Sequence, residues 1–162
     1  MVTVMGIDPG LAETGIGVVS GKGLTVSDYS FGHIRTSKDE NTPARLHLIY
    51  HRISEAIAIK KPDALVVEAV FSLERYPKSG ILLGKVVGVI LLAGCTAGIP
   101  VTEIPVREAK KILSGNGNSS KAQLERSVRD FLRHKEPIRP DHASDALALA
   151  LIGLFRHNRP HP

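Results

Sequence analysis

Hydrophobic and polar positions along the chain follow two rhythms. From residue 2 to residue 36 the rhythm is that of strands: "VTVMGID" (2–8), "TGIGVVS" (14–20) and "LTVSDYSFGHIRT" (24–36) are β-rich runs parted by "DPG" and "GKG" turns. Three strands joined by short turns predict an antiparallel meander. From residue 43 the period lengthens. Leu46, Ile49, Ile53 and Ile57 in "PARLHLIYHRISEAIAIK" (43–60) recur at helical spacing, and Pro43 suits a first helical turn. "DALVVEA" (63–69) is a short apolar strand, residues 78–98 form a helix apolar nearly all round, and "IPVTEIP" (99–105) is a fifth strand. Helices near 106–114 and 120–133, split by "SGNGNSS", precede a last helix over 140–157. The order βββαβαβααα predicts an α/β fold, a five-stranded mixed sheet flanked by helices.

Composition narrows this picture. A length of 162 residues implies one domain, placed at 1–157, with 158–162 as a frayed C-terminal tail. Hydrophobic residues make up 43% and aromatic residues 4%, with no Trp, so the core must be Val, Ile, Leu and Ala. The opening "MVTVMGIDPG" carries no basic leader or cleavage-site pattern. The apolar run "VVGVILLAGC" (86–95), with Lys85 beside it, is too short to span a bilayer, so a soluble intracellular protein is expected. The lone Cys95 has no internal partner and is expected to be a small buried hydrophobe. A net charge of +5 favours polyanions such as nucleic acid.

Candidate chemistry lies where strands end in acids. Asp8 closes the first strand and Glu68 the fourth. If those strands are parallel neighbours, their carboxylates face each other about 4.8 Å apart and repel unless a cation or proton intervenes. Oxygen donors of this kind suit Mg²⁺ or Mn²⁺. Taken singly, Asp8 in "DPG" is as well explained as a turn former. Asp141 and Asp145 stand at the head of the last helix, where the helix dipole accounts for one acid. Asp145 is followed at once by "ALALALIGLF", and an acid on a buried helix calls for a partner.

Four stretches, "GIDPGLAETGIGV" (6–18), "DALVVEAVF" (63–71), "SGNGNSSKAQL" (114–124) and "HASDALALA" (142–150), together resemble the RuvC family of Holliday junction resolvases over nearly the whole chain. The resemblance implies a ribonuclease H-like fold and a bacterial, cytoplasmic homodimer. It implies paired symmetric nicks in a four-way DNA junction, made with divalent metal and in partnership with a branch-migration motor. By motif, Asp8, Glu68 and Asp145 match the family's metal-binding acids. The remaining position is usually an acid three residues before the last Asp; here it is His142, with Asp141 one residue earlier as a weaker candidate. Imidazole suits Mn²⁺ better than Mg²⁺. The expected scheme has two ions, Asp8 bridging them, Glu68 on one, and Asp145 with His142 on the other. His142 is alternatively a general base.

Residues 105–135 form a basic stretch. "SKAQ" reads as a capping box with Ser120 as cap, which puts Lys121 in a first helical turn against the dipole, a place that makes sense if a phosphate visits it. The resemblance puts Lys121 and Lys110 near the scissile phosphate. It also favours Phe71 as a junction contact, although packing of Phe71 on the sheet is an equal reading from the residues alone. Arg75 and Tyr76 are further DNA-contact candidates. Gly80, Gly84 and Gly88 form a ridge on the 78–98 helix that fits close packing, on the sheet or on a symmetry mate. Three rival readings stand beside this one: a ribonuclease H-like nuclease for RNA or RNA–DNA hybrid, a sugar-kinase or actin-like nucleotide binder, and a catalytically silent junction-binding module. The second is disfavoured because 162 residues hold only one copy of such a domain.

Overall fold

The computed structural model describes residues 1–70 and 77–157. In chain order its elements are β1 (Val2–Asp8), β2 (Glu13–Lys22), β3 (Thr25–Arg35), α1 (Thr42–Lys60), β4 (Ala64–Glu68), α2 (Pro77–Thr96), β5 (Val101–Ile104), α3 (Val106–Ser114), α4 (Lys121–Leu132) and α5 (Asp141–His157). One sheet holds all five strands in the order β3-β2-β1-β4-β5. The meander β1–β2–β3 is antiparallel, whereas β4 runs parallel to β1 and β5 parallel to β4. The mixed sheet expected from the hydrophobic pattern is therefore present. Residues 71–76, which hold the candidates Phe71, Arg75 and Tyr76, lie outside the described residues, as does the 158–162 tail.

Successive strand residues point to opposite faces, and the two faces bury different helices. Val4, Val19 and Val66 turn towards α3, α4 and α5. Met5, Ile7, Leu65 and Val67 turn towards Ile49, Ile53 and Ile57 of α1 and Val86, Val87 and Ile90 of α2. Helix α1 starts at Thr42 because Asn41 caps it, its side chain accepting from the Ala44 amide at 2.9 Å. The capping box of α4 is complete, Ser120 and Gln123 each accepting from the other's amide.

Helix α5 is the centre of the protein. Eleven of its residues, from Ala143 to Phe155, are buried. Each large one among them contributes roughly 1.5–3 kcal/mol of burial. The sheet lets the helix lie close by lacking side chains beneath it. A Cβ on Gly6 would run into the Ala146 carbonyl, and one on Gly17 into the Leu147 backbone. Whatever α5 carries at its N-terminus is therefore held rigidly over the ends of β1 and β2.

Helix α2 differs from expectation in two respects. Cys95 is exposed rather than buried. The reason is that the helix is apolar all round, so its pattern does not show which side meets the sheet; Ala93 and Gly94 do, and Cys95 points away. The apolar run 86–95 is too short to span a bilayer, but the whole helix, Pro77–Thr96 against the expected 78–98, is among the described residues long and apolar enough, by length and composition, to cross one. In this fold its inner side packs on the sheet and α1, while Ile81 and Leu92 on its outer side are 62% and 57% exposed.

Candidate active site

The ends of β1 and β4 and the start of α5 meet at one point. Ile7 and Val67 are partners in the parallel β1–β4 pair, so Asp8 and Glu68 leave the sheet side by side. The Asp8 carboxylate is buried, and its Oδ2 lies 2.6 Å from His142 Nδ1. Glu68 is hydrogen-bonded to Asp8 as well. One turn further along α5, Asp145 Oδ2 lies 3.5 Å from Lys121 Nζ, which reaches over from the first turn of α4. The structure thus brings together Asp8, Glu68, His142, Asp145 and Lys121. Gly15 helps, since a Cβ there would strike the His142 carbonyl and push the head of α5 away from Asp8.

Crowded acids titrate abnormally. Burial first, then the hydrogen bond to Asp8 and the charges of Asp8 and Asp145, push the Glu68 carboxyl up to about 8. Burial and the Asp8 charge raise Asp145, against the opposing pull of Lys121 and His142. The hydrogen bond that the His142 ring donates to Asp8 raises His142, and the Asp145 carboxylate raises Lys121.

This donor set fits a divalent cation. Three carboxylates and one imidazole are the oxygen and nitrogen ligands that Mg²⁺ or Mn²⁺ accepts, and the excess negative charge that lifts Glu68 is what a cation relieves. The side chains are not closed around a common point. Among the described residues no three His, Cys, Asp or Glu groups converge closely enough to share one ion. Asp8 turns an oxygen to His142 instead, and Asp145 turns one to Lys121. A cleft of about 540 Å³ opens beside Asp8 and Glu68 and is walled by Pro9, Leu83, Pro105 and Arg107. A larger hollow, about 990 Å³ between α3 and α5, contains none of the four ligand candidates.

Lys110 is half-buried on α3, and among the described residues it forms no ion pair with the acids. Asp141 stands aside, paired with Arg139. Two residues near the site went unnoticed in the sequence. Glu13, at the start of β2, adds its charge to the field that raises His142 and sits 3.8 Å from His33 and 3.6 Å from Arg35. Arg139 precedes the last helix and faces the pocket beside Asp145. The "IRPDH" sequence held the only available signal for Arg139, a cation three residues ahead of His142.

Residues 4–153 match the model of one protein family, described as "Crossover junction endodeoxyribonuclease RuvC". The chain belongs to the RuvC family. A RuvC from Rhodopirellula baltica is 34% identical over 97% of this chain and 88% of the relative. Another, from Salinispora arenicola, is 38% identical over 94% of this chain and 87% of the relative. Among solved structures, Thermus thermophilus RuvC in complex with a Holliday junction substrate superposes with a TM-score of 0.91 at 34% identity, covering 98% of this chain and 96% of that one. The yeast mitochondrial Holliday junction resolvase Ydc2 shares the fold, with a TM-score of 0.63 at 12% identity. The ribonuclease H-like α/β fold expected of a RuvC is the one observed. RuvC proteins are metal-dependent nucleases that hydrolyse DNA phosphodiester bonds.

Proposed function

We propose that this chain is a structure-selective endodeoxyribonuclease that resolves four-way Holliday junctions by paired symmetric nicks, in homologous recombination and DNA repair. One observation carries the reading: in a chain of the RuvC family, three carboxylates and a histidine from the ends of β1 and β4 and the head of α5 lie next to one another beside a lysine. Asp8, Glu68, Asp145 and His142 would hold Mg²⁺ or Mn²⁺, two ions per site. Divalent metal held there would supply charge neutralisation for the transition state and would lower the pKa of the attacking water.

The chain's own residues do the rest. Asp8, nearly inaccessible to water, orients the His142 ring through Nδ1, leaving Nε2 to act as ligand or as proton acceptor. Lys121 keeps its proton beside Asp145 and presents a fixed cation to the phosphate being cut. Lys110 would join Lys121 in binding the phosphate being cut, and Phe71 and Arg75 would contact the junction DNA.

Symmetric cutting calls for a two-fold dimer. The outer face of α2 supplies a fitting surface: Ile81, Gly84, Gly88 and Leu92 share one side, and a Cβ on Gly84 or Gly88 would meet nothing within 4 Å in the monomer. We therefore propose a homodimer built largely on α2, working in the bacterial cytoplasm with a branch-migration motor that delivers the junction. The rival substrate, RNA or RNA–DNA hybrid, has no observation in its favour. The test offers the protein a mobile four-way junction, a matched linear duplex and a hybrid duplex, in Mg²⁺ and in Mn²⁺. Cutting of the junction alone, lost in Asp8→Asn, is expected. Cutting of the hybrid in preference, or junction cutting that survives Asp8→Asn, overturns the proposal.

A further inference from the structure

The N-termini of α4 and α5 converge on a pocket of about 270 Å³, adjacent to the acids but distinct from their cleft. It is lined by Lys121 and Ala122 from α4, by Arg139, and by Asp141, Ser144 and Asp145 from α5. Ser144 is 2% exposed, and its Oγ has no hydrogen-bond partner among the described residues. A buried hydroxyl in that condition is costly unless a ligand completes it. The capping box of α4 satisfies the amides of Ser120 and Gln123. The amides of Lys121 and Ala122, first in the helix, have no intrahelical acceptor. The pocket is therefore bordered by an unpartnered buried hydroxyl, by helix-terminal amides, and by an ammonium and a guanidinium that are paired with Asp145 and Asp141.

The acids on its wall are already committed. Glu125, which also lines it, is bound by Arg129 Nε at 2.7 Å and by the Ile138 amide at 2.9 Å. Asp145 holds Lys121, and the half-exposed Asp141 holds Arg139. A cation is a poor occupant, because two helix N-termini and two basic side chains repel it. An oxyanion is a good one once it displaces Asp141 from Arg139.

We propose that this pocket is a subsite for a second, non-scissile backbone phosphate of the DNA strand being cut, and that Asp141 is its internal stand-in in the free protein. The inference rests on the junction-nuclease reading. Lys121 borders both the pocket and Asp145, so a phosphate seated here fixes the register of the strand relative to the acids. Arg139 thus binds DNA, Ser144 completes the phosphate's hydrogen bonds, and Asp141 competes with it.

The test is junction binding by fluorescence anisotropy as a function of salt, in EDTA and in the Asp8→Asn background, so that neither cleavage nor metal contributes. Arg139→Gln is expected to weaken binding about tenfold at low salt and to lower the log–log salt slope by about 0.9. Asp141→Asn is expected to tighten binding several-fold, and Ser144→Ala to weaken it without changing the slope. A structural role cannot give opposite signs for the two members of one ion pair. An unchanged slope for Arg139→Gln, or weaker binding for Asp141→Asn, overturns the subsite alone. Failure of the Asp8→Asn parent to prefer a junction over linear duplex overturns the junction reading and the subsite with it. Arg139 is largely exposed, so its replacement leaves the core intact, which a thermal melt verifies.

Discussion

Replacing Glu68 by Gln should stabilise the metal-free protein, and only at neutral to alkaline pH. In the folded chain the Glu68 carboxyl titrates near 8 rather than at its ordinary 4.5, because it is largely buried against Asp8 and Asp145. Below pH 4.5 it is protonated in both folded and unfolded states and contributes nothing. Between 4.5 and about 8 the unfolded chain gives up its proton first, so native stability falls as pH rises; above 8 the loss is complete. At 1.4 kcal/mol per pH unit the displacement sets a ceiling of about 5 kcal/mol. Solvent reaches the open side of the cleft, and screening there brings the effect to about 2–3 kcal/mol. For a domain of this size that is a difference of about 5–10 °C in Tm. The assay is thermal unfolding in EDTA at pH 5 and pH 9, wild type against Glu68→Gln. The two curves should nearly coincide at pH 5 and separate at pH 9 with the variant more stable. His142 is common to both proteins and drops out of the comparison. Addition of Mg²⁺ or Mn²⁺ at pH 9 should stabilise the wild type and close the gap. Equal Tm values at pH 9, or a variant that is less stable there, would refute the claim that the acids are held together against their own repulsion.

Other outcomes follow from the same geometry. His142→Asp should keep or raise junction cleavage in Mg²⁺, since a carboxylate is the better ligand for that ion; abolished cleavage in both metals would make the imidazole itself essential. Gly17→Val puts a branched side chain against the Leu147 backbone and should cost more than about 3 kcal/mol in denaturant unfolding, with α5 and its site residues displaced together. Gly84→Leu, on the outer side of α2, should leave unfolding stability within about 1 kcal/mol at low concentration yet shift sedimentation from dimer towards monomer. An unchanged dimer would remove that ridge from the interface.

Much of this site was legible in the sequence because its parts are local. A run of alternating or apolar residues that ends in an acid fixes both a strand and the place of its last side chain, which is how Asp8 and Glu68 could be paired before their register was known. The Ser120–Gln123 box fixed the start of α4 and so the position of Lys121. What stayed hidden was tertiary. Gly6, Gly15 and Gly17 look like ordinary strand glycines, and only the approach of α5 shows that they set its distance from the sheet. The pairing of Arg139 with Asp141, and the reach of the Glu13 charge to His142, depend on side-chain directions that no spacing encodes. Cys95 was misplaced because a helix without an amphipathic stripe gives no direction for its buried side.

As a junction resolvase, this chain must make two coordinated cuts in one junction. A supercoiled plasmid bearing an extruded inverted repeat tests it most directly, because paired cuts within one binding event give linear DNA, whereas independent single cuts give relaxed circles. Linear product should appear from the earliest times in the presence of divalent metal, and none with Asp8→Asn. Relaxed circles alone, or equal cutting of a plasmid lacking the repeat, would contradict paired cutting of a junction.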